Sequence, residues 1–486
     1  MSVTSSPTSD STTAAPSSGE LLRYATGSLG MGVWVTVPGL LLAFYLTNVL
    51  GVSPFLAGFA LLLPKVLDVI VHPWFGTLSD RQRARRGNRR HMMWIGLFLA
   101  LALVGMFSVP ASLSGGAAAL WVAFFFMLGN LLFASFQVPY LTTPSDLNVG
   151  YHQRTRVMTF RMVVLTVGLL GAGVLAPALV KSGERGDYTM MAILLSSVMV
   201  VSGIVAILGI KRLQSYMPTE IDTTYHPSFR EGVKIALSDR NFRMLVLSYL
   251  FTGTVTHLFM AGVPYYAEYV FGNVGLTALF MGSFLAPAIL ASPMWLRVSK
   301  RVGKQRGLLI SQLMFIVGSL ALAAGAVLGL AVTTLVVVLL GVAFAGLQLF
   351  AFSMVPDVVR AASADGSKAA SYTGVWTATE ATGTAIGPYI YMLVLGLGGF
   401  VASTAANPVV QSQSAQNALV LGFTVVPAVL MAVAMLFQRR YSLEQGAFGS
   451  SHEQVFEGSA MSDEGMGIEA AGVAATELEA ELERVR

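Results

Sequence analysis

Apolar residues run along this chain in long stretches broken by short polar or glycine- and proline-containing turns, and none of them alternates with the period of a strand. About twelve of these stretches are long enough to cross a hydrocarbon core of roughly 30 Å as helices. They span residues 21–49, 54–78, 91–110, 117–143, 156–180, 187–211, 241–270, 274–298, 306–330, 333–356, 370–398 and 415–437. The pattern predicts an all-α polytopic membrane protein, because a helix satisfies its own backbone in lipid and no barrel-strand signal competes.

The exceptions inside the apolar segments carry the functional information. In LLLPKVLDVIVHPWFGTLSDRQRARRGNRR, Leu61 to Arg90, the spacings of three and four residues put Lys65, Asp68 and His72 on one helical face. A charge in a bilayer is expensive and is kept when it faces protein or a water-filled path. Gln137, Arg161, His257 and Glu380 are the other polar groups at depth. Lys65 and Asp68 read either as part of a site or as a fixed ion pair that orients helices, and His257 either lines a cavity or bonds a neighbouring helix. Trp34, Tyr265, Tyr266, Trp376 and Tyr389 could stack on a sugar ring, against the general reading of membrane aromatics as packing or interfacial anchors. Trp376 lies one helical turn from Glu380. Gly27, Gly30, Gly32 and the GTAIG run of the eleventh segment read as close-packing positions. Asp80 and Arg81, with the arginines up to Arg90, form either a cytoplasmic gate or a topology signal.

Basic residues gather in RQRARRGNRR, HQRTR, KRLQ to SDRNFR, RVSKRVGKQR and the RR after the last segment, all on one side. That bias makes the side cytoplasmic and puts both termini there, in a cell inner membrane. The longest internal loop, Lys211 to Arg243, divides the segments into two sets of six. Short matches at an offset of roughly 215 residues relate the halves, as expected of parallel transporter repeats. Arg86 to Arg90 corresponds to Val302 to Arg306, and Asp146 to Asp357. The expected organisation is a disordered tail at 1–20, a six-helix lobe at 21–211, a loop at 212–240, a second lobe at 241–438 and an acidic tail at 439–486. Of the 486 residues 55% are hydrophobic and 11% charged, against about one quarter charged in a soluble chain. The net charge of +5 sits in loops the orientation rule explains, so nucleic-acid binding is not expected. The chain has no cysteine, which removes disulfides, thiolate metal sites and a cysteine nucleophile.

Four fragments in order carry a family resemblance: LLRYATGSLGMG with AFYLTNVLGVSP, LLLPKVLDVIVHPWFGTLSDR with RRGNRRHMMW, QVPYLTTPSDLNVGYHQRTRVMTFRM, and GVWTATEATGTAIGPYIYMLVLGLGGF. On them the chain resembles the major facilitator superfamily and, within it, the glycoside-pentoside-hexuronide:cation symporter family. The superfamily's Gly and Asp-Arg signature stands here as Gly76, Asp80 and Arg81. The resemblance implies two six-helix lobes and cation-coupled sugar uptake, with paired carboxylates on the second helix sharing the ion. Asp68 matches the first of these and Arg161 the family's arginine on the fifth helix. The second carboxylate position is His72, the sugar-binding aspartate of the first helix aligns with Gly32, that of the fourth with Gln137, and the lysine of the eleventh falls near Ala381.

Sodium needs several hard oxygen ligands, whereas a proton needs one group whose affinity can be tuned by burial and neighbours. Asp68, His72 and Glu380 are therefore the candidate coupling residues, with H+ favoured over Na+ and no other cofactor or metal. Lys65, Gln137, Arg161, His257, Trp376, Tyr265 and Trp34 are the candidate substrate contacts. The expected activity is symport of a small solute by alternating access, a sugar or glycoside by family resemblance, carried out by a monomer in the lipid bilayer. A non-sugar substrate such as an organic acid or lipid, or a receptor on the same fold, are the alternatives. No GxxxxGK[ST] sequence is present, and no enzymatic constellation is discernible, so catalysis is not expected.

Overall fold

The computed structural model describes residues 16–86, 88–147, 151–180, 183–216, 229–362, 369–404 and 408–443, and every regular element among them is a helix. In chain order these are α1 (Ser18–Val49), α2 (Pro54–Arg86), α3 (Arg90–Phe107), α4 (Gly115–Asp146), α5 (Tyr151–Leu179) and α6 (Arg185–Leu213). After the short α7 (Phe229–Ser238) come α8 (Arg240–Phe271), the bent α9 (Leu276–Leu290 with Ser292–Val302), α10 (Lys304–Ala321), α11 (Gly325–Ala362), α12 (Ala369–Leu397) and α13 (Gln413–Arg439). Eight stretches among the described residues are long and apolar enough to cross a bilayer, nine with α9 as one span bent by 51°. One of them, Lys304–Val359, covers α10 and α11 together. At about 1.5 Å per residue it is far longer than a bilayer is thick, and α10 packs against α11, so the stretch doubles back near Gly329, whose φ is 76°. The helices outside that set, α2 and α12, carry Lys65, Asp68 and Glu380.

The ends of the helices are written locally. Ser17 and Glu20 close a capping box, with the Ser17 amide donating to Glu20 Oε2 at 2.9 Å, so α1 begins at Ser18 inside the stretch expected as a tail. Asp239 Oδ1 accepts from the amides of Asn241 and Phe242 at the start of α8, and left-handed Gly272 ends that helix. The second helix continues to Arg86, past the boundary expected at residue 78, because arginines outside the apolar layer solvate themselves while the backbone keeps its helical bonds. The loop expected at 212–240 contains α7. Residues 1–15, 217–228 and 444–486, which hold most of both tails and part of that loop, lie outside the described residues.

The helices pack as two six-helix lobes. In the first, α1 lies on α5 and α6, α2 on α4, and α3 between α4 and α6. In the second, α8 lies on α12 and α13, α9 on α11, and α10 on α11 and α13. The lobes meet through α1 against α8, α2 against α12, and α5 against α9. Equivalent crossings hold each lobe together. A Cβ at Gly32 would lie 2.8 Å from the carbonyl carbon of Gly168, and one at Gly383 would lie 3.1 Å from that of Gly253. Backbone therefore rests on backbone where α1 crosses α5 and where α8 crosses α12, the close approach that small residues permit in membranes. Of the matches between the halves, Lys304 Nζ bonds Asp357 Oδ2 at 2.8 Å and the Ser353 carbonyl at 3.2 Å. The side chain of Asp146 lies outside the described residues.

Gly32→Val is expected to destabilise the protein by about 1–3 kcal/mol through overpacking. Gly39→Ala, where a Cβ meets nothing within 4 Å, is expected to be neutral or to stabilise by up to about 1 kcal/mol. Thermal melts of the two detergent-purified variants against the parent check the contrast.

Candidate functional site

The ionisable groups within the apolar helices fall into three sets, around Lys65, Arg161 and Glu380. On α2, Lys65 Nζ lies 3.7 Å from Asp68 Oδ2, with the side chains 22% and 8% exposed, so the pair spacing of three residues becomes an ion pair. The Lys65 ammonium also sits 5.5 Å from the centroid of the Phe126 ring on α4. Across the seam, His257 on α8 is within electrostatic range of Lys65. Its Nδ1 is 2.9 Å from the Gly253 carbonyl; a carbonyl only accepts, so Nδ1 carries the hydrogen and Nε2 is left as an acceptor. Among the described residues Nε2 has no hydrogen-bond partner.

Arg161 on α5 is half-buried, and its Nε is buried without a hydrogen bond. It acts electrostatically on Tyr24 and Tyr140, whose rings stack at 4.7 Å. The Tyr140 hydroxyl lies 2.9 Å from Ser28 Oγ and donates to the Tyr24 carbonyl at 3.1 Å. This small polar network fixes the floor beneath the guanidinium. Gln137, half-buried on α4, stands one turn before Tyr140. The position aligned with a family aspartate, Gly32, is closed by Gly168, which explains why no side chain projects there.

The third set lies in the other lobe. Glu380 on α12 is half-buried and makes no ion pair or hydrogen bond among the described residues. Tyr249 on α8 feels its charge and has the Gln348 side chain of α11 beside its hydroxyl. Trp376, one turn before Glu380, stacks on Tyr249 at 4.1 Å and 21° and meets the edge of Phe352 at 5.4 Å.

The aromatic candidates differ from the expectation of open stacking faces. Trp34, Tyr265 and Trp376 are at most 4% exposed, so a solute meets none of these faces in this conformation. Trp34 fits over Gly129, where a Cβ would lie 2.0 Å from its ring. Tyr266 donates to the Leu322 carbonyl at 2.6 Å. The cause is ordinary: a large ring beside a glycine or an apolar neighbour is buried by its own lobe. Tyr389 is half-buried against Phe59 at 5.5 Å, across the α2–α12 contact. His72 and Asp80 stand on α2, but their side chains lie outside the described residues, and Arg81 is exposed near the end of that helix. The gate pairing is therefore not described.

Sequence reading missed the seal at the end of the bundle far from both termini. There α1 finishes in a π-turn, Tyr45–Val49, which turns Thr47 and Asn48 toward the other lobe. The Tyr265 and Thr47 hydroxyls are 2.6 Å apart, Thr47 donates to Asn48 Oδ1 at 2.7 Å, and Asn48 Nδ2 donates to the Tyr269 hydroxyl at 2.7 Å. The Ser403 amide adds a bond to the Thr47 carbonyl at 2.9 Å. These bonds join the lobes at one end, beyond the mid-depth charges. No periodicity encodes a π-turn, and Thr47 and Asn48 are unremarkable polar residues near a helix end.

The chain was compared with known proteins. The family model described as MFS/sugar transport protein matches residues 23–445. The isoprimeverose transporter of Lactiplantibacillus pentosus is 23% identical over 467 residues, 92% of this chain and 93% of that protein. The sodium-dependent lysophosphatidylcholine symporter 1-A of Danio rerio is 23% identical over 464 residues, 87% and 85% of the two chains. Among solved structures, a bacterial homologue of the human lysosomal transporter Spinster, in an inward-facing and unoccupied conformation, superposes with a TM-score of 0.60 at 14% identity, covering 87% of this chain and 96% of that one.

The seal has a direct check, made clean by the absence of native cysteine. Met392 is fully buried, with its sulfur 3.7 Å from the Tyr265 hydroxyl, so Met392→Cys places a thiol just behind the seal. Adding Tyr265→Phe and Asn48→Ala removes the two side-chain hydrogen bonds of the seal that cross between the lobes, worth about 1 kcal/mol each, so labelling of the introduced thiol by a membrane-impermeant reagent is expected to quicken by roughly ten- to thirty-fold. An unchanged rate means that other contacts hold the seal.

Proposed function

The chain belongs to the MFS/sugar transport protein family, and on that premise we propose that it is a secondary active transporter symporting a small solute with a cation by alternating access. The observation that carries the reading is the Lys65–Asp68 ion pair on α2, inside the apolar bundle and near enough to His257 on α8 of the other lobe for the Lys65 charge to act on that ring. A protein that only scaffolds has little use for such groups in a bilayer, where each is costly. A seam sealed at one end by hydrogen bonds that do not cross the site is what two rocking lobes require.

The solute class proposed is a sugar or glycoside, in keeping with the isoprimeverose transporter among its relatives. Arg161 offers a forked donor set to a hydroxyl pair or a carboxylate, Lys65 a second donor, Gln137 an amide and His257 Nε2 an acceptor. Trp34, Tyr265 and Trp376 shape the walls behind these groups. The coupling ion proposed is the proton, with Asp68, His72 and Glu380 as the candidate carriers. The ammonium beside Asp68 occupies the place a sodium ion would take, and its companion carboxylate position is His72. A second reading, a lipid with an acidic head group, draws on the lysophosphatidylcholine symporter relative and on the unpaired guanidinium of Arg161. Localisation in a cell inner membrane with both termini cytoplasmic follows from the charge bias of the loops.

Proteoliposomes given a panel of glycosides, hexuronides, organic acids and lysophospholipids under imposed proton or sodium gradients test this. Accumulation of a glycoside driven by a proton gradient and abolished by a protonophore is expected. Accumulation driven equally by sodium at fixed pH overturns the choice of ion, and lysophospholipid uptake alone overturns the choice of solute. Asp68→Asn strands the Lys65 charge and is expected to cost about 3–5 kcal/mol of stability, while the double variant Lys65→Met with Asp68→Asn regains most of it in a thermal melt.

A further inference from the structure

Resting on the transporter reading, we propose that the coupling proton is carried by Glu380 in the second lobe, with Tyr249 and Gln348 as its positioning residues, and not by the α2 carboxylate. The two intramembrane carboxylates stand in opposite electrostatic situations. Asp68 has an ammonium at 3.7 Å, so the pair crosses any conformational change with no net charge and needs no ion to do so. Glu380 has neither an ion pair nor a hydrogen bond among the described residues, although it is half-buried at mid-depth. Of the described charged groups on the helices packed around it, among them Lys65 and Asp68 on α2, Lys234 on α7, Arg240, Arg243, His257 and Glu268 on α8, Asp357 on α11 and Arg439 on α13, none acts on it; Tyr249 is the titratable group that senses its charge. A lone carboxylate is costly to enclose between closing lobes unless a cation neutralises it first.

The surroundings suit a group that changes protonation state. In the proposed cycle charged Glu380 takes up a hydrogen bond from the Tyr249 hydroxyl, which in this conformation feels the carboxylate's charge without bonding it. Protonated Glu380 donates to the Tyr249 oxygen, and Tyr249 turns its own hydrogen to the Gln348 carbonyl oxygen, since that amide has both an acceptor and donors. Trp376 Nε1, on the same helical face one turn earlier, is buried without a partner and is available to a water or to the carboxylate. The step balances simply: one proton from water on one side of the membrane adds to the carboxylate, the neutral lobe closes, and the same proton leaves to water on the other side. No electron moves and no covalent bond other than O–H forms or breaks. Stacking holds Tyr249 on Trp376, so the hydroxyl stays aimed while the lobes move.

Two measurements on the full-length protein test this. The first needs no solute: tryptophan emission followed across the range in which carboxylates and histidines titrate. One transition is expected in the parent, lost in Glu380→Gln and in Trp376→Phe, retained in Asp68→Asn and His257→Gln, and displaced along the pH axis in Tyr249→Phe and in Glu380→Asp. Glu380→Asp also serves as the folded control. The second is transport of whichever member of the solute panel accumulates. Glu380→Gln is expected to lose proton-driven accumulation by roughly tenfold or more while counterflow of labelled against unlabelled solute persists. A transition that survives Glu380→Gln, or that vanishes with Asp68→Asn, overturns the assignment, as does sodium-driven accumulation in Glu380→Gln equal to the parent. If the emission transition behaves as expected while no solute of the panel is moved, the proton site stands and the transporter reading falls.

Discussion

Two places where backbone touches backbone, Gly32 on Gly168 and Gly253 on Gly383, fix the geometry on which the rest of this molecule depends. In lipid there is no hydrophobic force pulling helices together, so close approach with its dispersion contacts has to hold a lobe. Each crossing binds the first and fifth helices of its lobe into one body. The same closeness has a chemical consequence, because it leaves no room at residue 32 for any side chain. The candidate polar groups of the described helices stand instead on α2, α4, α5, α8 and α12.

The charges that remain are not equivalent. The Lys65–Asp68 pair is internally compensated and sits beside His257 of the other lobe. Arg161 and Glu380 are half-buried without an opposite charge among the described residues, one in each lobe. A compensated pair costs little to carry through a conformational change, whereas an isolated charge makes that change depend on what binds it. The two isolated groups differ in what satisfies them: an unpaired cation suits an anionic or hydroxyl-rich group, and an unpaired anion suits a proton.

The hydrogen-bonded seal and the mid-depth groups are linked through shared helices. Tyr265 and His257 are both on α8, and Thr47 lies at the end of α1, whose glycines rest on the helix that bears Arg161. The seal and the polar groups deeper in the bundle are thus joined by continuous helices and need no intervening chain of side chains. The π-turn at Tyr45–Val49 is where the backbone bonds at the end of α1 depart from the α pattern, and it aims two polar side chains across the seam.

Much of this was readable in the residues. Segment lengths gave the helical bundle because hydrocarbon thickness dictates them, the basic loops divided the chain into halves, and four ordered fragments pointed to the family whose model matches residues 23–445. The three-residue spacing of Lys65 and Asp68 likewise implied their contact, since helical geometry alone makes such residues neighbours. What the sequence could not decide is which groups lack partners and which rings lack open faces. Trp376 reads as a stacking platform beside Glu380 until Tyr249, over a hundred residues away, covers it, and Gly32 reads as a missing carboxylate until Gly168 shows that the space is gone. Those outcomes depend on contacts between helices distant in the chain, which no local period encodes. The sequence determined what each helix is, which charges lie within the apolar segments and that Lys65 and Asp68 are neighbours; the tertiary packing decided that Arg161 and Glu380 meet no opposite charge among the described residues, because such a partner would have to come from another helix.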